Sequence, residues 1–373
     1  MKHTNRPLKR IVVKVGTSSL VSNGGSLDLA KMAAMARQIA EIKRRGKEVV
    51  LVSSGAIRAG MERLGMSERP KSIPGQQATA AIGQSVLMQS YTDLLSEFGV
   101  IPAQVLLTRD DFNHRTRYLN AGNTLRTLLK FGCLPIVNEN DTVATEEIKF
   151  GENDTLSALV AASVDADLLL NLSDVDGLFD GDPRSDADCK LIEEVEKITP
   201  EIEQLAGGTH GLCGSGGMRT KIEAAKIATS SGVRMIIANA SLPNVLLDAV
   251  AGKRVGTVFL CKPVELNHRK RWIAFGSRIR GSVIINEGAR KMLAERGKSL
   301  LSAGVISCDG EFDVGDLVAV VDEQSMQIAR GLTNYSSTEL ALIRGKRSSE
   351  IERILGHKDF DEVIHRDNMV LGV

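Results

Sequence analysis

Apolar runs alternate with segments of helical periodicity through the first two-thirds of this 373-residue chain. Residues 11–15, 49–52 and 134–137 have the composition of buried strands, whereas residues 27–45 and 218–230 repeat with a helical period. This alternation predicts an α/β domain with a mainly parallel sheet. Parallel sheets bind ligands beyond the carboxyl ends of their strands, so the polar residues that follow the strands are the candidate site.

The pattern changes after residue 263, where a polar, basic connector precedes shorter segments separated by Gly and Asp. Short strands of this kind predict a small β-rich domain. The length of the chain also favours two domains. We therefore expect a first domain over residues 1–264, a linker over 265–277 and a second domain over 278–373.

Composition excludes several classes of protein. The net charge is +1, so no global field favours a polyanion or a membrane, and the aromatic content of 3% argues against a base-stacking surface. Five scattered cysteines without CxxC spacing predict neither a disulfide framework nor a zinc site, and they favour a reducing compartment. The sequence contains no signal peptide and no apolar run long enough to span a bilayer. We expect a cytoplasmic protein.

A glycine-rich segment, GGTHGLCGSGGMRTKIEAA at residues 207–225, leads directly into a helical pattern that carries Lys221. Glycines let backbone N–H groups approach an anion, a helix N-terminus adds donors, and a lysine adds a full charge. The spacing differs from a Walker A loop. The segment predicts a phosphate site of another design, and the alternative is a flexible loop before an ordinary helix.

Lys14 lies inside an apolar strand, IVVKVG, where an unpaired ammonium is costly to bury. One interpretation is a phosphate contact assisted by the backbone N–H groups of Gly16 and Thr17. The alternative is an edge strand that leaves the ammonium in water.

Asp141 and Asp154 occupy two identical ENDT runs that lie thirteen positions apart. One carboxylate could hold Mg²⁺ or orient two lysines, and the other could pair with a substrate ammonium. The alternative for Asn153 or Asp154 is a helix cap before a helix over residues 155–164. The acidic residues that follow Ser173 have a similar alternative, because at least two of them fit a solvated turn.

Six segments occur together and in order: VVKVGTSSL, VVLVSSGAI, PIVNENDTV, IKFGENDTLSAL, LSDVDGLFDGDPR and GSGGMRTKIEAA. They resemble the amino-acid kinase family, and within it the glutamate 5-kinases, from about residue 11 to 264. The tail from about residue 278 to 354 is similar to the PUA domain of many such kinases. The resemblance implies a three-layer α/β/α amino-acid kinase domain with a mainly parallel sheet, followed by a small β-rich PUA-like domain.

The resemblance also implies an activity, namely ATP-dependent phosphorylation of the γ-carboxylate of L-glutamate to L-glutamyl 5-phosphate. This reaction is the first step of proline biosynthesis. The cofactor implied is Mg²⁺ with ATP as co-substrate. The other implied partners are proline as a feedback inhibitor, glutamyl phosphate reductase as the acceptor of a labile product, and further copies of the chain in a homo-oligomer.

The resemblance assigns roles to individual residues. Lys14 and Lys221 are expected to contact the phosphates of ATP, with Asp154 holding both lysines and lying near Mg²⁺. Ser54, Asp141 and Asn153 are expected to bind glutamate. The expected ATP site comprises Lys14, Gly16, Ser173, Asp174, Gly214, Ser215, Gly216, Gly217, Met218, Arg219, Thr220 and Lys221. Ser173 stands where threonine is common in the family, and it keeps the hydroxyl.

Two alternatives remain at this stage. The PUA-like tail and the basic residues between 269 and 280 are compatible with RNA binding, although the small net charge of +1 and the scarce aromatics favour a structural or oligomerisation module. Within the kinases, aspartate or N-acetylglutamate could replace glutamate. Asp141 favours a free α-ammonium, which needs a carboxylate partner, over an acetylated amine.

Overall fold

The computed structural model describes residues 8–22, 26–144, 152–183, 188–206, 217–261, 273 and 279–372. The chain forms two compact units, one of Met1–Asp111 with Leu119–Val264 and one of Phe112–Tyr118 with Glu265–Val373. The predicted boundary at residue 264 and linker at 265–277 stay predictions, since most of the linker lies outside the described residues.

The first unit is built on an eight-stranded sheet. Its strands are β1 (Arg10–Val15), β2 (Glu48–Ser53), β3 (Pro102–Leu107), β4 (Leu134–Glu139), β5 (Leu168–Ser173), β6 (Glu194–Val195), β7 (Arg234–Asn239) and β8 (Thr257–Phe259). Their order across the sheet is β3-β4-β2-β1-β5-β7-β8-β6. The strands from β3 to β7 in this order are parallel neighbours, β8 runs antiparallel to β7, and β6 is parallel to β8. The predicted, mainly parallel sheet is confirmed.

Helices cover the two faces of this sheet. Between β1 and β8 the described helices are α1 (Thr17–Leu20), α2 (Leu29–Arg44), α3 (Ala56–Arg63), α4 (Ile73–Ser96), α5 (Arg109–Asn113), α6 (Arg115–Lys130), α7 (Glu152–Ser163), α8 (Pro200–Leu205), α9 (Met218–Ser230) and α10 (Val245–Val250). Residues 112–118, at the end of α5 and the start of α6, belong to the second unit. Buried residues of α2, α4 and α10 form one hydrophobic cluster with the central strands. On the opposite face α7 packs against β1 and β5, and α9 packs against α7 and β7. The layers are therefore helix, sheet and helix.

The alternation of side chains along β1 decides where its lysine lies. Ile11, Val13 and Val15 belong to the cluster formed with α2 and α4. Because successive side chains of a strand face opposite sides, Lys14 faces the side that α7 covers. Lys14 is buried, with 6% of its surface exposed, and β1 lies between β2 and β5. The alternative interpretation of an edge strand is wrong.

One further expectation is corrected by the helix bounds. Helix α7 begins at Glu152, so Asn153 and Asp154 lie inside its first turn and neither is its cap. Helix α4 begins at Ile73, because the side chain of Ser72 accepts a hydrogen bond from Gly75 N and caps the helix.

Helices α3 and α4 pack with their backbones almost in contact. A Cβ atom added at Gly83 would lie 1.8 Å from the carbonyl oxygen of Ala56, and one added at Gly60 would lie 1.9 Å from that of Thr79. Only glycine fits at these two positions. The contact fixes the start of α3, which directly follows the carboxyl end of β2.

The second unit contains a five-stranded sheet with the order β10-β9-β11-β12-β13. Its elements are β9 (Gly281–Ile285), α11 (Glu287–Arg296), β10 (Val305–Asp309), β11 (Leu317–Val321), β12 (Gln327–Leu332), α12 (Ser337–Ile343), α13 (Ile351–Leu355) and β13 (Met369–Leu371). Strands and helices share one apolar core that includes Val283, Leu293, Val320 and Tyr335. The predicted small β-rich domain is confirmed. Among the helices that the structure describes, none is long and apolar enough to cross a membrane.

Candidate active site

A buried carboxylate on the first turn of α7 joins two lysines from different elements. Asp154 is 1% exposed. Its Oδ1 lies 2.5 Å from Nζ of Lys14 on β1, and its Oδ2 lies 3.4 Å from Nζ of Lys221 on α9. Strand β1 and helix α9 thus contribute one cation each to the same anion.

Two neutral donors complete the contacts of Asp154. Asn171 Nδ2 donates to Oδ1 at 2.9 Å, and Thr220 Oγ1 donates to Oδ2 at 2.7 Å. Asn171 lies on β5 opposite Lys14 in the parallel register, which explains why both reach the same oxygen. Each carboxylate oxygen therefore holds one lysine and one neutral donor. These four contacts fill the acceptor positions that a carboxylate offers and fix its orientation.

Burial and charge act against each other at this cluster. Burial alone would raise the pKa of Asp154, but the charges of Lys14 and Lys221 hold that pKa well below its usual range. Burial lowers the pKa of Lys221, Asp154 opposes that effect, and Lys14 adds to it. Two cations and one anion leave one net positive charge in a largely dry site. An anionic ligand would compensate it.

Lys221 also lies at the start of a helix. Helix α9 begins at Met218 after Gly217, which is the predicted start, and Thr220 and Lys221 occupy its first turn. The N–H groups and dipole of this end favour an anion at the same place as the lysine does. Arg219 is exposed and pairs with Glu223 on the helix surface. Gly214, Ser215 and Gly216 lie outside the described residues.

The turns after β1 and β5 adjoin the lysines. A Cβ atom added at Gly16 would lie 3.6 Å from Lys14 Nζ and 3.8 Å from the carbonyl oxygen of Leu172, so the two turns lie side by side. Ser173 is buried, and its hydroxyl donates to the exposed Asp174 at 3.0 Å. Those of the residues predicted for ATP that the structure describes therefore lie at the carboxyl edge of β1 and β5 and at the start of α9.

A second polar cluster begins one residue before Asp154. Asn153 Nδ2 donates to Ser54 Oγ at 2.8 Å and to Asn138 Oδ1 at 3.1 Å. The structure thus brings together Ser54 and Asn153, two of the three residues predicted to bind the acceptor substrate. The third, Asp141, lies in the turn that follows β4 and is partly exposed.

Sequence reasoning missed two polar residues of these clusters, namely Asn171 and Gln84. Asn171 interrupts an apolar strand, LLLNLS, as Lys14 interrupts IVVKVG, so the same argument of costly burial could have found it. Gln84 lies inside a long helix and carries no comparable signal. Its contact with Asn138 depends on how α4 packs.

Within the described ranges, no group of three or more His, Cys, Asp or Glu residues could hold a metal ion. Both oxygens of Asp154 already contact cations and donors. Asp154 therefore suits the fixing of the two lysines better than the direct binding of a metal.

Comparison with known proteins agrees with this architecture. The amino acid kinase family matches residues 9–239, and the PUA domain matches residues 281–355. The fold, the buried lysines and these matches define an amino acid kinase with an appended PUA domain.

Proteins that are similar to nearly the whole chain identify one family within this class. The glutamate 5-kinase of Caldanaerobacter subterraneus is 54% identical over 362 residues, which cover 97% of both chains. The glutamate 5-kinase of Carboxydothermus hydrogenoformans is 50% identical over 372 residues and covers 100% of both, and that of Geobacter sulfurreducens is 50% identical and covers 98% of both. The chain belongs to the glutamate 5-kinase family.

Proposed function

We propose that this protein transfers the γ-phosphoryl group of ATP to the γ-carboxylate of L-glutamate and releases L-glutamyl 5-phosphate. The observation that carries the proposal is the buried cluster in which Asp154 holds Lys14 and Lys221 at the carboxyl edge of the sheet. The identity of the acceptor, L-glutamate, is supported by the membership of the chain in the glutamate 5-kinase family.

The chemistry needs few protein groups. A carboxylate is already a nucleophile at neutral pH, so the reaction requires no general base. The obstacle is electrostatic, because one anion must approach another. Phosphoryl transfer is then accelerated by alignment and by cations that stabilise the charge on the transferring group. Lys14 and Lys221 supply such cations, and Asp154 keeps both from moving.

The ATP site in this proposal comprises the turns after β1 and β5 and the start of α9. The N–H groups of the first turn of α9 would meet phosphate oxygens, with Lys221 beside them. Gly16 leaves room next to Lys14, since a Cβ there would lie 3.6 Å from Nζ. Ser173 and Asp174 would hold the nucleotide on the β5 side.

Mg²⁺ would enter with ATP, bound to its phosphate oxygens, and would neutralise part of their charge. Asp154 would act on it indirectly, by fixing the two lysines. The direct metal contact predicted for Asp154 stays a prediction.

The acceptor site in this proposal is built on Ser54, Asn153 and Asp141. Asp141 would pair with the α-ammonium, because a free ammonium needs a carboxylate partner and an acetylated amine does not. We expect Asp141→Asn to raise the KM for L-glutamate far more than the KM for ATP. An unchanged KM for L-glutamate would contradict this role.

We extend the proposal to the setting of the enzyme. The relatives are glutamate 5-kinases, which supports a place at the first step of proline biosynthesis. Inhibition by proline, transfer of the labile acyl phosphate to glutamyl phosphate reductase, a homo-oligomer, and a cytoplasmic location follow from the same resemblance. The domain boundaries at residues 264 and 278 belong to this set of proposals.

The test is ADP release from Mg·ATP with a panel of acceptors, each with and without proline. The panel is L-glutamate, L-aspartate, N-acetyl-L-glutamate, carbamate and UMP, with hydroxylamine present to trap any acyl phosphate. We expect turnover and a hydroxamate with L-glutamate alone, and less of both when proline is added. Turnover with another acceptor and none with L-glutamate would refute the proposed substrate.

A further inference from the structure

A buried glutamine on α4 lies behind the proposed acceptor site. Gln84 is 8% exposed, and its Oε1 accepts a hydrogen bond from Asn138 Nδ2 at 2.8 Å. Its own Nε2 is buried and has no hydrogen-bond partner among the described residues. A polar side chain buried within an apolar helix face carries a free-energy cost, so its retention calls for an explanation.

A chain of hydrogen bonds joins Gln84, Asn138 and Asn153, and each bond in it has a defined donor and acceptor. Asn138 donates to Gln84, and Asn138 Oδ1 in turn accepts from Asn153 Nδ2 at 3.1 Å and from the backbone N–H of Glu139 at 2.9 Å. A side-chain amide has one donor end and one acceptor end. The backbone N–H of Glu139 and the oxygen of Gln84 therefore hold the two ends of the Asn138 amide in one orientation, and Asn138 selects one orientation of the Asn153 amide.

In this orientation of its amide, Asn153 has its Oδ1 atom available to a ligand. Asn153 directs its Nδ2 towards Asn138 and Ser54, with 2.8 Å to Ser54 Oγ. Its Oδ1 is buried and has no hydrogen-bond partner within the part of the chain described. An amide oxygen accepts hydrogen bonds and cannot donate, so it suits an ammonium group and not a carboxylate.

The backbone holds Gln84 firmly in place. The preceding residue, Gly83, lies so close to α3 that a Cβ there would be 1.8 Å from the carbonyl oxygen of Ala56. Helix α4 therefore cannot rotate or slide at this point without a clash. Ala56 follows the Ser54 turn within two residues, so the same contact also fixes the other partner of Asn153.

We propose that Gln84 is a positioning residue for the acceptor site. Through Asn138 it orients Asn153 so that Asn153 Oδ1 accepts a hydrogen bond from the α-ammonium of the acceptor amino acid. This inference rests on the proposed function. It adds Asn153 Oδ1 as a second group, beside Asp141, that binds the α-ammonium.

The test compares two substitutions at Gln84 with a matched control on the same helix. Gln84→Met removes the acceptor and keeps the length of the side chain, whereas Gln84→Glu keeps an oxygen that can accept from Asn138. The control is Gln89→Met, because Gln89 is exposed on α4 and its side chain donates to Asp93, four residues further along the same helix, at 2.7 Å. If Gln84→Met fails to fold, as judged by its thermal transition, Gln84→Leu takes its place.

Loss of one oriented hydrogen bond to an ammonium is expected to raise the KM for L-glutamate by roughly tenfold in Gln84→Met. The KM for ATP and kcat should stay within about twofold, because the lysine cluster is untouched. Burial favours the neutral form of the carboxyl group in Gln84→Glu, which still offers Asn138 an acceptor oxygen, so this variant should stay within about threefold of the wild type in all three constants. If Gln84 served folding alone, Gln84→Met would not raise the KM for L-glutamate more than the KM for ATP.

Glutarate provides the readout for the ammonium, because it keeps both carboxylates and lacks the amine. Its inhibition constant against L-glutamate should be the same in the wild type and in Gln84→Met. An equal rise in that constant, an unchanged KM for L-glutamate in Gln84→Met, or an equal loss in Gln84→Glu would overturn the inference. Absence of L-glutamate turnover in the wild type would instead refute the proposed function.

Discussion

Replacing Asp154 by asparagine removes the charge that joins two buried lysines and keeps the shape of the side chain. Lys14 and Lys221 expose only 7% and 6% of their side chains, so water cannot take the place of the carboxylate. Breaking a buried ion pair by removing one partner costs about 3–5 kcal/mol. The same substitution also places an NH₂ group opposite a donor, either Asn171 or Thr220.

The expected loss in the free energy of unfolding is therefore at least about 3 kcal/mol. At about 2–4 °C per kcal/mol this is a fall on the order of 10 °C in the transition of the first unit, measured by calorimetry at neutral pH. The matched control is Asp248→Asn, which breaks a surface pair with Lys253 that is 2.8 Å long. Exposed pairs of that kind contribute at most about 1 kcal/mol.

A second substitution separates charge from packing. Adding Lys14→Met to Asp154→Asn removes one of the two uncompensated cations, so the double variant should unfold at a higher temperature than Asp154→Asn alone. The reasoning is refuted if Asp154→Asn shifts the transition no more than Asp248→Asn does, or if the losses from Lys14→Met and Asp154→Asn simply add.

Three other predictions follow from single contacts. Burial lowers the pKa of Lys221 below its ordinary value of 10.5. Because the lysine must be protonated to hold phosphate, kcat/KM should be at its maximum below this lowered pKa. It should fall as the pH rises through that pKa, at a pH below 10.5. Gly83→Ala should lower the free energy of unfolding by about 1–3 kcal/mol, because the new methyl would meet the Ala56 carbonyl at 1.8 Å. Tyr91→Phe should cost about 1 kcal/mol in urea unfolding through loss of its buried 2.8 Å hydrogen bond to Ser53.

Each of these has a control. Circular dichroism across the same pH range separates titration of Lys221 from unfolding, and a rate that stays flat until the protein unfolds would contradict the assigned pKa. Ser85→Ala, an exposed change on the same helix as Gly83, should alter stability by less than about 0.5 kcal/mol. Equal effects of Ser85→Ala and Gly83→Ala would remove the argument from close packing. Unchanged urea unfolding of Tyr91→Phe would show that Ser53 is satisfied without the phenol.

Local patterns were enough to predict much of the fold. The apolar runs around Lys14 and before Ser54 predicted buried strands, and the helical period after the glycine-rich segment predicted the start of α9 at Met218. The sequence did not predict short elements such as the two-residue strand β6 and the three-residue antiparallel strand β8, because three or fewer residues show no measurable period. The start of α7 also escaped, because ENDT fits a cap as well as a first turn.

The chemistry was less predictable than the fold. The two ENDT runs are identical in sequence, yet Asp154 is buried between two lysines and Asp141 lies partly exposed in a turn. That difference arises from the elements that pack around each run, not from the run itself. The order of hydrogen bonds from Gln84 through Asn138 to Asn153 joins α4, β4 and α7, which are far apart in the sequence, and only the packed structure brings them together.

The measurement that tests the account most directly is kcat for L-glutamate-dependent hydroxamate formation by Lys14→Met and Lys221→Met at saturating Mg·ATP and L-glutamate. The control is Lys253→Met, whose lysine is exposed. Loss of one group that stabilises the transferring phosphoryl should lower kcat by about 10²–10³-fold in both buried-lysine variants, with the fold retained and the control unchanged. Turnover close to that of the wild type in either variant would show that this lysine serves the structure and not the phosphoryl transfer.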